Sequence, residues 1–203
     1  MSAPTRVVST VGPVLIIGSG LLGASLGLAL RAGGVRVYLE DASPTSLRLA
    51  SDVGAGVAFG DAIDEAGVAY ADAGTDAPGY EAPRIVVVAT PPDVADRVIV
   101  DSLLRFPGAI VTDVASVKDA VVADVLATLE ERGLEDAACR YVGSHPMAGR
   151  ERSGAGAADA DLFYGRPWVI VAHETTWPRA LLAARALATD VGAVPLEMNA
   201  GTH

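Results

Sequence analysis

Between Arg6 and Arg31 the chain carries no charged residue, yet Pro13 and Gly12, Gly18, Gly20, Gly23 and Gly27 interrupt the run. Its length alone would suit a transmembrane helix or a signal peptide. The proline and the glycines argue against both, because they break the run into pieces too short for either. The same residues read well as strand, turn and helix. Val14-Leu15-Ile16-Ile17 is wholly apolar, as a strand buried on both faces must be. Residues 18–23 form a tight turn, and residues 21–32 a helix closed by Gly33-Gly34.

The turn spells Gly18-Ser19-Gly20-Leu21-Leu22-Gly23, the pattern GxGxxG. Alone the pattern is weak, but after an apolar strand and before a helix it points to a dinucleotide site. Gly18 permits the tight turn, Gly20 lets a pyrophosphate approach the backbone, and Gly23 lets the helix pack on the sheet. Leu21 and Leu22 open the helix, whose unpaired N–H groups and positive dipole end favour phosphate. An acid at the end of the second strand should then hold the ribose hydroxyls. Glu40 and Asp41 both fit that position. Asp41 is the better placed, and a carboxylate there favours NAD over NADP. The bland alternative is a solvated strand-end acid. Arg36 and Arg48 keep NADP open as the cofactor.

The rest of the chain repeats strand and helix. Strands are expected over 35–39, 84–89, 109–113, 140–143, 167–172 and 193–198. Helices are expected from Ser43-Pro44 onward and over 93–106, about 117–132, and 177–191. Residues 72–83 and 153–160 read as surface loops, and no internal repeat is present. This alternation gives an α/β fold with a doubly wound, Rossmann-type, mostly parallel sheet. With 51% hydrophobic residues the chain can bury a full core, but at 5% aromatic that core must be Ala, Val and Leu. The net charge of −10, with no Lys/Arg cluster to offset it, excludes a nucleic-acid partner. The single cysteine, Cys139, excludes an internal disulfide and a cysteine zinc site. No two of the three histidines have metal-ligand spacing, so no metal is expected. A reducing, cytoplasmic setting without a membrane partner fits.

Three later segments carry candidate chemistry. Thr90 and Pro91 end the strand over 84–89, where they either border the cofactor or merely stop the strand. Ser116 falls where a helix should begin; it is a plain N-cap or a hydroxyl that orients a partner. No GxSxG elbow surrounds it, which argues against a serine hydrolase. His145 follows the strand over 140–143 in a turn between glycines and a proline. Neutral imidazole accepts a proton near pH 7, so His145 is a candidate general base, or else a ring bonded to a backbone carbonyl. Glu151, with Arg150 and Arg152, follows closely, as an anion-contacting group or a solvated charge run.

Taken in order, GSGLLGASLGLAL (18–30), VVVATPP (86–92), TDVASVK (112–118), GSHPMAGRERSG (143–154) and DLFYGRPWVIVA (161–172) resemble prephenate/arogenate dehydrogenases of tyrosine biosynthesis over nearly the whole chain. The resemblance implies NAD(P)-dependent oxidative decarboxylation of prephenate to 4-hydroxyphenylpyruvate, or of arogenate to tyrosine. His145 would take the ring hydroxyl's proton, and Ser116 would bond the hydroxyl and the histidine. Gly18, Gly20, Gly23 and Asp41 match cofactor positions, and Glu151 an acid near the substrate entrance. Members of the family continue into an all-helical domain that forms a homodimer and supplies arginines for the substrate carboxylates. Residues 1–203 are therefore expected to be the dinucleotide-binding domain, with the helical domain absent from this chain. The alternatives are a non-catalytic dinucleotide-sensing module, or another two-domain NAD(P)-dependent reductase.

Overall fold

The structure is a computed structural model that describes residues 8–59, 81–148 and 154–199. In chain order the elements are β1 (Val14–Ile17), α1 (Leu21–Ala32), β2 (Val37–Glu40), α2 (Pro44–Asp52), β3 (Val57–Ala58) and β4 (Ile85–Val88). They continue with α3 (Pro92–Arg105), β5 (Ile110–Asp113), α4 (Lys118–Glu131), β6 (Tyr141–Pro146), β7 (Pro167–Ala172), α5 (Pro178–Asp190) and β8 (Val194–Asn199). Short 3₁₀ turns lie at Glu135–Arg140 and Ala155–Ala157. The described strands form one eight-stranded sheet in the order β3-β2-β1-β4-β5-β6-β7-β8.

The sheet is doubly wound because its strands are apolar on both faces. Val14, Ile16, Val37, Leu39, Ile85 and Val87 face the layer of α1, α2 and α5, while Leu15, Tyr38, Val86, Val88 and Val111 face α3 and α4. Alternate side chains of a strand point to opposite faces, so an uninterrupted apolar run needs cover on both. The buried aromatic residues divide between the two layers: Tyr38, Phe59, Phe106 and Tyr141 on one face, Phe163 and Trp168 on the other. Local signals set the helix starts. The Ser43 hydroxyl accepts from the Ser46 N–H at 3.2 Å, and prolines stand in the first turns of α2, α3 and α5.

The sequence reading of β1, α1 and β7 is met residue for residue, and the other predicted elements shift by one or two positions, β6 excepted. It places His145 in a turn after a strand that ends at residue 143. In the structure β6 runs on to Pro146 and holds His145 inside it. The reason is β7, which returns antiparallel and pairs Gly143 with Val171, Ser144 with Ile170, His145 with Val169 and Pro146 with Trp168. Only the first part of β6, Tyr141 and Val142, pairs with β5. A parallel return needs a crossover helix. Among the described residues between β6 and β7 there is only the 3₁₀ turn at Ala155–Ala157. The loop read over 72–83 lies largely outside the described residues.

Candidate active site

The strand order reverses between β1 and β4, which diverge toward β2 and β5 respectively. In doubly wound sheets the crevice at the carboxyl ends of such a pair is where ligands bind. The glycine turn sits there. Gly18 has φ +104°, and a Cβ on it would meet the Ala89 carbonyl oxygen at 2.5 Å. A Cβ on Gly23 would overlap the Gly18 carbonyl oxygen. Nothing lies within 4 Å of the Cβ position of Gly20, which faces open space. The two sites should therefore respond differently to a methyl group. Gly23→Ala is expected to cost about 1–3 kcal/mol of unfolding free energy in urea, because the Gly18 backbone must move. Gly20→Ala is expected to stay within about 1 kcal/mol of the parent, since its loss of cap preference offsets its gain in chain stiffness.

A cleft of about 940 Å³ opens beside this turn. Gly18, Gly20, Leu21, Leu22, Asp41, Thr90 and Pro91, all expected at a cofactor, line it. Gly23 does not line it and serves helix packing. The N-terminus of α1 has no side-chain cap and no acid in its first turn. Its leading N–H groups and positive dipole end are thus left to a ligand. Asp41 is held by two backbone donors, Ser19 N–H at 2.5 Å and Ser43 N–H at 2.7 Å. A carboxylate offers about four acceptor sites, so lone pairs remain for ribose hydroxyls. The buried Thr90 hydroxyl has no hydrogen-bond partner. An orphaned hydroxyl on a cleft wall is costly unless a ligand completes it. The open cradle at Gly20, the uncapped helix, Asp41 and Thr90 together fit a dinucleotide.

The cations considered from sequence are not in this cleft. Arg36 pairs with Glu81 at 2.9 Å at the amino end of β2, and neither Arg36 nor Arg48 lines the cleft. Arg105, at the last turn of α3, lines it instead and bonds Glu40 at 2.7 Å. Sequence reasoning missed Arg105 because the two residues are 65 positions apart and no local spacing joins them.

One and two strands beyond Thr90 stand the catalytic candidates. Ser116 follows β5 and His145 is the penultimate residue of β6, and these strands run parallel to β4, so both residues rise at the same carboxyl edge. Neither lines the cleft, to whose wall β5 and β6 contribute no residue. Ser116 is exposed and does not cap α4, whose N-cap position is Val117 without a side-chain bond. The N-cap reading of Ser116 is thereby corrected: the turn after β5 needs one residue more than the spacing suggests. His145 is half-buried in the ladder with β7, beyond the part of β6 that pairs with β5. Glu151, Arg150 and Arg152 lie outside the described residues.

Beneath Ser116 and His145 runs a buried polar network that the motif TDVASVK concealed. Lys118 and Asp113 have fully buried side chains and form an ion pair through Nζ and Oδ1. The Tyr141 hydroxyl donates to Asp113 Oδ2 at 2.8 Å, and Ala115 N–H donates to Oδ1 at 2.8 Å. The Ser144 hydroxyl donates to the Asp113 carbonyl at 2.5 Å, and Thr112 donates to Ser144 at 3.2 Å. This network ties the turn carrying Ser116 to the strand carrying His145. Burial pushes the Lys118 amine down from its ordinary range, and the Asp113 carboxylate partly restores it. Burial, then the same carboxylate, holds the Tyr141 phenol well above its ordinary value. A lysine at a helix start reads in sequence as a solvated charge, so nothing local signalled its burial.

Among the described residues no three His, Cys, Asp or Glu side chains gather as a metal site would require, and no helix is long and apolar enough to cross a membrane.

Comparison with known proteins agrees with this architecture. Residues 26–197 match the sequence model of the prephenate dehydrogenase nucleotide-binding domain. A Streptomyces niveus protein described as a probable prephenate dehydrogenase is 38% identical over 189 residues, which is 93% of this chain and 46% of that protein. The prephenate dehydrogenase of Bacillus subtilis is 27% identical over 196 residues, 94% of this chain and 47% of that protein. The chain thus spans about half the length of these curated relatives. A crystal structure of prephenate dehydrogenase from A. aeolicus, in complex with hydroxyphenyl propionate and NAD+, superposes with a TM-score of 0.74 at 25% identity, covering 95% of this chain and 61% of that one. An imine reductase from Myxococcus stipitatus, with a TM-score of 0.60 at 14% identity, shares the fold alone. The chain belongs to the family of the prephenate dehydrogenase nucleotide-binding domain.

Proposed function

We propose that residues 1–203 form the dinucleotide-binding domain of an NAD-dependent dehydrogenase that oxidatively decarboxylates prephenate or arogenate. A helical domain of the full-length protein would complete the substrate site and the homodimer. The observation that carries this reading is the row along one sheet edge: Asp41, the glycine turn and Thr90 around the cleft, then Ser116 and His145 on the next two strands. Family membership and the NAD+ present in the A. aeolicus structure support it.

When bound, the nicotinamide accepts a hydride from the ring carbon that bears the hydroxyl. His145 accepts that hydroxyl's proton through a ring nitrogen, which pushes electron density toward the carbon losing its hydrogen. Ser116, exposed on its turn, bonds the same oxygen and orients it. Carbon dioxide leaves as the ring becomes aromatic, and the oxygen that lost its proton regains it as a phenol, so His145 ends as it began. Asp41 bonds the adenosine ribose, and its negative charge repels a 2′-phosphate.

Calorimetric titration of NAD+ and NADP+ tests the cofactor half. NAD+ is expected to bind more tightly, and Asp41→Ala to weaken it about tenfold or more, as expected for lost hydrogen bonds to a charged group. Tight NADP+ binding that ignores the Asp41 change would overturn the preference. Turnover by the full-length protein with prephenate and with arogenate, followed by NADH absorbance, tests the substrate half. Activity with neither would sink it.

A further inference from the structure

Glu40 closes β2 one residue before Asp41, with its side chain turned to the last turn of α3. Nη1 of Arg105 donates to both carboxylate oxygens of Glu40, at 2.9 and 2.7 Å. The guanidinium lies over two rings, with its carbon 4.9 Å from the Phe106 centroid and 5.2 Å from that of Phe59. Those rings meet edge to face at 5.9 Å, forming a platform that fixes the arginine independently of its acid. The pair is half open to solvent, with side-chain exposures of 46% and 36%, and an exposed pair adds little to stability. Both residues line the cleft, together with Asp41 and Asp101. Among the described residues Arg105 is the one cation in the wall of this cleft, and Glu40 already engages its Nη1.

We propose that the Glu40–Arg105 pair is a determinant of dinucleotide specificity: by engaging the arginine, Glu40 denies a 2′-phosphate the cation that Arg105 offers at that end of the cleft. This rests on the reading of the cleft as a dinucleotide site. A phosphate monoester carries about −1.5 to −2 charges at neutral pH. In the parent protein it meets three carboxylates and a guanidinium whose charge is neutralised. Neutralising Glu40 leaves Arg105 on its aromatic platform with its donors free, and a planar guanidinium matches phosphate geometry. The same substitution leaves Asp41 in place for the ribose of NAD+.

The test is calorimetric titration of NAD+ and NADP+ against the parent chain, Glu40→Gln, Arg105→Ala and the double variant, with thermal unfolding to show that each is folded. Glu40→Gln should tighten NADP+ binding by about tenfold to a hundredfold, as one charge-assisted phosphate contact allows. The ratio of NADP+ to NAD+ affinity should rise by about that factor, NAD+ serving as the internal reference because it carries no 2′-phosphate. Adding Arg105→Ala should abolish the gain, and raising salt should shrink it. In a protein that binds NAD+, an unchanged ratio of NADP+ to NAD+ affinity in Glu40→Gln overturns this proposal alone. A gain that survives Arg105→Ala does the same. If the parent and the variants bind neither nucleotide, the dinucleotide reading fails and the proposal with it.

Discussion

His145→Asn in the full-length protein is expected to lower kcat by about 10²–10⁴, the range typical of a lost general base. The dissociation constant for NAD+ should stay within about twofold, because His145 is not among the residues that line the cleft and stands two strands from β4. Asparagine suits the test. It keeps a polar side chain in a half-buried strand position and removes the group that can carry a proton. Its backbone is held by the ladder to Val169, so the strand should persist. A fall in kcat with KM little changed would assign His145 to the transition state rather than to binding. A kcat within about threefold of the parent would remove His145 from the mechanism, since a general base is worth far more than that.

Lys118→Met is expected to cost about 3–5 kcal/mol of unfolding free energy, the range for breaking one half of a buried ion pair. Asp113 would then be a fully buried carboxylate with only the Tyr141 hydroxyl and the Ala115 N–H for partners. The intact pair is no great source of stability, because burial outweighs the Asp113 attraction and leaves the Lys118 amine below its usual range. Removing either half alone is what costs. Urea unfolding measures it, and a loss under about 1 kcal/mol would mean that water reaches Asp113.

The alkaline limb gives a second readout. The folded pKa of Lys118 lies below the ordinary lysine value of 10.5, so below 10.5 the unfolded chain binds more protons and stability rises with pH through that window. Lys118→Met should abolish this rise. Tyr141 acts in the opposite sense. Its phenol is raised well above 10.0, so its stabilisation is complete below pH 10.0 and is lost as the pH climbs past it. Tyr141→Phe should remove that loss.

Much of the cofactor side of the site was legible in the sequence. The glycine turn, Leu21, Leu22, Asp41, Thr90 and Pro91 are each defined by what lies within a few residues: an apolar run before, a helix or proline after. The helices α2, α3 and α5 start within one residue of expectation, with Ser43, Pro44, Pro92 and Pro178 acting locally at their first turns. The side that carries Ser116 and His145 was less legible. The motif TDVASVK was recognised, but the roles of its Asp and Lys were not, since a lysine's burial depends on which strand lies beneath it. Here that strand is β6, with Tyr141.

By itself, then, the sequence determined the doubly wound sheet, the helix that opens at the glycine turn, and the carboxyl edge on which Asp41, Ser116 and His145 all rise. These follow from hydropathy period and backbone stereochemistry, which act over a single turn or strand. The antiparallel return of β7 that draws His145 into a strand, the burial of Lys118 against Asp113 and the meeting of Arg105 with Glu40 arise from packing alone. Each of those depends on a partner supplied by a distant segment. Neither a strand's far hydrogen bonds nor a charge's desolvation is set until that partner is in place.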